Sequence, residues 1–122
     1  MRSNYTTTSA TFVDIDATGL GATITTTGGD VIVHFDGHIF ASGGNVSIEI
    51  LVDGAVYATD DGVVRVPTSL SAHTSFTRKI GSLAAGSHTF KLQWKISAGT
   101  ATLYTGQTTI LTHPQFWVAE IS

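Results

Sequence analysis

The side chains in this 122-residue chain able to do chemistry are five histidines, nine carboxylates and many hydroxyls, and their spacing limits what that chemistry can be. His34 and His38 stand four apart, which on a strand puts both on one face about 13 Å apart. Two ligands of one ion cannot be that far apart unless Gly37 folds the strand back. A single histidine repeated about a threefold axis can hold an ion instead. Asp14, Asp16 and Thr18-Gly19 have the opening spacing of a calcium loop. The twelfth position, where such a loop needs a bidentate acid, is Thr25, so the signature fails. Asp60-Asp61-Gly62 reads more simply as a turn than as a cation site.

Nucleophilic catalysis has little to work with. There is no cysteine and no Gly-x-Ser-x-Gly elbow, and serine, histidine and aspartate together are uninformative in a serine-rich chain. A glycosidase needs two matched carboxyl groups. Glu49 and Glu120 are the only glutamates, and most aspartates fall at expected turns. The expectation is a protein that is not an enzyme, with no catalytic residues, no metal and no cofactor.

Aromatic side chains offer a different chemistry, the stacking of sugar rings. Trp94 lies on the apolar side of a strand and reads as core, whereas Trp117 fits either role. Tyr5, Tyr57 and Tyr104 can be exposed, and Tyr57 and Tyr104 are the candidate ligand-facing aromatics of a carbohydrate-binding module.

The elements that must position these residues are strands. Thr, Val, Ile, Phe and Tyr dominate, and glycine recurs every 8–15 residues or so, the rhythm of an all-β sandwich or barrel. No window has the helical apolar period together with a capping signal. About eight to ten strands are expected, near residues 11–15, 20–27, 30–41, 46–52, 55–59, 63–66, 75–83, 90–96 (after a turn at 84–86), 100–105 and 113–121. Asp53-Gly54 closes the clearest hairpin. Gly37 is expected to mark a bulge or bend, and Pro67 ends any central strand. Residues 1–8 form a polar arm or an extra edge strand, and 9–122 form the sandwich domain.

Two strands look apolar on both faces. Val31, Val33 and Phe35 oppose Ile32, followed by His34 and Asp36. Phe116 and Val118 oppose Trp117, Ala119 and Ile121. The outer face of a lone sandwich is wet, so a two-sided strand needs a cover, and a symmetric oligomer supplies one. Ile32, His34, Trp117, Ala119 and Ile121 are therefore the expected subunit interface. Composition narrows the partners further. A net charge of −3, with six dispersed Lys and Arg, gives no basic stripe for nucleic acid. Residues 1–10 lack the apolar run of a signal peptide, and no stretch is long enough for a membrane helix.

The run Leu83, then Ala85 to Lys95 (AGSHTFKLQWK), then Gly99 to Leu103 (GTATL), has a familiar pattern. So do Gly28 to Val33 (GGDVIV) and Phe116 to Ile121 (FWVAEI). Together, over roughly residues 9 to 122, they resemble C-terminal domains of phage and prophage virion proteins: tail fibres, head fibres and decoration proteins. Those domains are similar to the trimeric jelly rolls of the tumour-necrosis-factor and complement C1q type. The resemblance implies a jelly-roll-like antiparallel β-sandwich, a homotrimer with its last strand near the axis, and a place in the virion, extracellular after particle release. It also implies contacts with other virion proteins and with cell-surface glycan. No coiled-coil or collagen-like stalk precedes the domain, which favours a free-standing decoration or accessory protein over a fibre tip.

Overall fold

The computed structural model describes residues 4–16, 19–57, 62–105 and 114–121. These residues form eleven strands and no helix: β1 (Tyr5–Thr7), β2 (Val13–Asp14), β3 (Gly21–Thr26), β4 (Gly29–Ser42), β5 (Val46–Val52), β6 (Ala55–Val56), β7 (Val64–Val66), β8 (Ser71–Leu83), β9 (Gly86–Ile96), β10 (Thr100–Leu103) and β11 (Gln115–Glu120). Ten match the expected segments. The eleventh is β1, an edge strand that pairs with β10 from Tyr5↔Leu103 to Thr7↔Ala101.

Every pairing is antiparallel. In the first sheet, β4 is the long central strand. It pairs with β8 on one side, and with β11 and β10 end to end on the other. In the second sheet, β9 and β5 are central, with β2 and β3 sharing the far side of β9 and β6 and β7 the far side of β5. With collinear strands counted as one position, the order is first–eighth–third–sixth in one sheet and second–seventh–fourth–fifth in the other. That is the winding of a jelly roll, so the fold is an all-β, jelly-roll-like antiparallel sandwich.

Alternation fills the space between the sheets. Val31, Val33, Phe35, Ile39 and Ala41 of β4 face Ile48 and Ile50 of β5 and Phe90, Leu92, Trp94 and Ile96 of β9, all at most 1% exposed. Each large apolar side chain so buried contributes roughly 1.5–3 kcal/mol against the entropy of ordering the chain. Trp94 is core, as its strand position suggests. Arg78 lies in register between Phe76 and Ile80 but reaches the rim, where its guanidinium donates to the Val63 carbonyl at 2.9 Å.

Turn chemistry is local. Asp53 (φ 51°) and Gly54 (φ 84°) form the two-residue turn between β5 and β6, both in the left-handed conformation that a type I′ hairpin requires. Gly37 departs from expectation. It pairs with Thr74 in unbroken register, and the one irregularity of the β4–β8 ladder lies between Gly29 and Val31. Gly37 is buried, and a Cβ there would meet Leu103 Cδ1 at 2.8 Å and Phe35 Cζ at 3.1 Å. Its role is close packing, not bending.

Candidate functional site

The two outer faces of the sandwich differ in chemistry. On the second sheet the outward positions of β9 are Lys91, Gln93 and Lys95. Asp14 lies beside them, with Lys91 Nζ at 3.8 Å and Gln93 Nε2 donating at 2.9 Å. Ser47 and Glu49 of β5 also point to this side but are buried, flanked in register by Arg65, Gln93 and Lys95. This face is polar and largely self-paired.

The outer face of the first sheet is different. Across β8, β4 and β11 its rows read Lys79–Ile32–Ala119, Thr77–His34–Trp117 and Ser75–Asp36–Gln115. His73 stands beside His38 in the next row, and Ser71–Phe40–Thr102 completes the face toward β10. Trp117 is 41% exposed and Ile121, just past β11, is 48% exposed. Phe116 and Val118, with opposite parity, pack against the core. The two-sidedness read from the alternation is therefore real, and apolar surface is left bare on the outside.

Two histidines organise this face. The His34 ring stacks on Trp117 with centroids 5.0 Å apart and planes 20° from parallel. Its Nε2–H donates to Asp36 Oδ2 at 2.8 Å, and in the neutral ring Nδ1 accepts from the Thr77 hydroxyl at 2.9 Å. The indole thus rests on an imidazole that is itself held on both sides. Four residues along β4, His38 bonds Ser71 Oγ through Nε2 at 2.8 Å and meets Tyr104 edge-on at 5.6 Å.

Of the expected interface residues, Ile32, His34, Trp117 and Ala119 come together in two adjacent rows, with Ile121 beyond them. Tyr104 joins the same face through His38. Tyr57 does not. It follows the β5–β6 hairpin, and its hydroxyl donates to the Lys79 carbonyl at 3.3 Å. Lys79 and His38 lie six positions apart across the β4–β8 ladder, about 20 Å along the strands, so Tyr57 and Tyr104 share no platform. Phe40 went unnoticed in the sequence, although it has the same parity as Ile32 and His34.

Among the described residues, most of the remaining acids and histidines have structural partners. Asp16 accepts from the Tyr5 hydroxyl, and Glu120 Oε2 accepts from the Thr27 backbone N–H and hydroxyl, both at 2.8 Å. Glu49 and Glu120 lie in different sheets and do not converge. No cluster of three or more histidine, aspartate or glutamate side chains that could hold a metal occurs among the described residues. Asp60 and Asp61 lie outside them. Sequence reading also missed a closed pair: His88 Nδ1 is 2.6 Å from Asp53 Oδ2, and its Nε2 is 2.7 Å from the Ala84 carbonyl. Both ring nitrogens donate, and the hydrogen bond to Asp53 raises the His88 pKa. The same bond, with help from the Thr89 N–H, lowers that of Asp53. This clamp fastens the β5–β6 turn to β9.

The chain matches no protein-family model, no curated protein and no solved structure. Its function must be read from the two faces themselves.

Proposed function

We propose that the chain is a non-enzymatic structural or adhesive protein of a phage or phage-like particle, assembling as a homotrimer through the outer face of its first sheet. The observation that carries this reading is the asymmetry of the two outer faces. One is charged and largely self-paired, Arg65 excepted. The other exposes Trp117 and Ile121 around Ile32, Ala119 and a braced His34, with the Lys79–Asp30 pair and Asp36 at its side. Exposed apolar patches of this kind mark sites of association. At about 25 cal/mol per Å², roughly 300 Å² of apolar surface covered at each contact contributes several kcal/mol before association costs. The sandwich winding, the last strand on the exposed face and the resemblance to virion jelly rolls favour a threefold arrangement. In such a particle the partners are the other subunits, neighbouring virion proteins and cell-surface glycan.

The test pairs mutation with mass. Trp117→Glu and Ile32→Ser both lie outside the core, so each variant keeps the wild-type far-ultraviolet circular dichroism and sediments as a monomer. A wild-type protein that is already monomeric, or variants that stay trimeric, would contradict the assembly. Detection of the protein in stoichiometric amount in purified particles checks the virion role.

One observation favours a second reading, a carbohydrate-binding β-sandwich module. The braced indole of Trp117 is a flat platform for a sugar ring, and Tyr104 stands on the same face. A monomer whose Trp117 fluorescence shifts with a neutral oligosaccharide would favour this module over the assembly.

A further inference from the structure

The second sheet carries a hollow that neither reading uses. Arg65 of β7, Ser47 of β5 and Lys95 of β9 form one row in register. Neighbouring strands are about 4.8 Å apart, so the two cationic residues stand about 10 Å apart at the backbone with a serine between them. The short serine leaves space between two long side chains. Ala10, Asn45 and Ser97 complete the wall of a depression of about 210 Å³.

Every polar side chain among the described residues that bound this hollow can donate a hydrogen bond. Asn45 Oδ1 is taken by the Thr68 N–H at 3.0 Å, which leaves the amide nitrogen of that side chain as its remaining polar atom, a donor. Ser97 Oγ accepts from the Asn45 N–H at 3.0 Å, which leaves its hydroxyl proton to give. Ser47, 5% exposed, adds a hydroxyl at the floor. Arg65 forms no ion pair with any described residue. Lys95 Nζ rests 4.6 Å from the centroid of the Phe12 ring, a contact that steadies its stem. Among the described residues, no carboxylate lines the hollow. Glu49, the next residue on this side of β5, is fully buried, and its Oε1 accepts the Ile50 N–H at 2.8 Å.

We propose that this hollow binds a small oxyanion, the carboxylate, sulfate or phosphate group of a ligand. Arg65 supplies a planar fork of donors, Lys95 a point charge from the opposite side, and Asn45, Ser47 and Ser97 the neutral donors that orient the oxygens. The site is on the sheet opposite the assembly face, so it stands or falls independently of trimer formation.

The experiment is a titration of the ¹⁵N-labelled full chain with acetate, glucuronate, sulfate and inorganic phosphate at constant ionic strength, with glucose as the neutral control. The expected result is saturable shifts confined to the amides of Asn45, Ser47, Arg65, Lys95 and Ser97, and none with glucose. Arg65→Gln and Lys95→Gln each weaken binding at least tenfold, while Arg78→Gln, at the open rim, leaves it unchanged. Tightest binding of glucuronate identifies an acidic sugar as the source, and tightest binding of phosphate a phosphorylated one. Shifts that never saturate, that spread over all surface cations, or that survive both substitutions in the hollow would overturn the proposal.

Discussion

At the scale of single residues, the sharpest consequence concerns His88 and Asp53. The raised His88 pKa means that its contribution to stability is fully present below the unfolded value of about 6.5 and fades as pH rises through the folded value. The lowered Asp53 pKa gives a contribution present above about 3.8 and lost as pH falls through the folded value. The clamp is therefore complete between about pH 4 and 6.5. Urea midpoints measured from pH 3 to 9 should fall on both sides of that window in the wild type. In His88→Ala the decline on the alkaline side should disappear; an unchanged profile would remove the clamp. This pair was illegible in the sequence because its partners stand 35 residues apart and meet only through the β5–β9 register. The opposite lesson comes from the tryptophans. Parity along β9 was enough to place Trp94 inside, whereas parity along β11 only set Trp117 on the face opposite Phe116 and Val118, and the structure shows that this face is the outer one. Trp94→Ala should accordingly cost about 3–5 kcal/mol in denaturant unfolding. Trp117→Ala should change the stability of the isolated subunit by no more than about 0.5 kcal/mol.

At the scale of elements, positive-φ glycines separate strain from crowding. Gly54 and Gly99 both adopt left-handed backbone, with φ of 84° and 77°. A Cβ on Gly54 meets nothing within 4 Å, whereas one on Gly99 would fall 1.8 Å from the Ser42 carbonyl oxygen. Gly54→Ala should cost about 1 kcal/mol, the strain of the conformation alone. Gly99→Ala must also push the β9–β10 turn off the end of β4, and thermal unfolding should show a clearly larger loss. Equal losses would mean that backbone strain alone decides both. The hairpins were readable because glycine and aspartate stand at their turns. Gly37 was misread because a glycine within a strand signals either a bulge or a close approach, and only the position of Leu103 shows which. Likewise β1 was ambiguous: Tyr5–Thr7 has the composition of a polar arm, and the pairing with β10 that orders it joins residues nearly a hundred positions apart.

At the scale of the whole molecule, the account rests on one sheet being dressed for solvent and the other for contact. The alternation along β4 and β11 already contained that difference, although the sequence could not show that β11 and β4 would be neighbours. Nor could it show that His34 would stack on Trp117, or that Phe40 and Tyr104 would extend the same face. The most direct measurement is the solution mass of the purified protein by sedimentation equilibrium at micromolar concentration. Burial of Ile32, Trp117, Ala119 and Ile121 between subunits predicts a single species of three times the chain mass of 12.8 kDa. A well-behaved monomer near 12.8 kDa, with Trp117 fluorescing as a solvated indole, would contradict it.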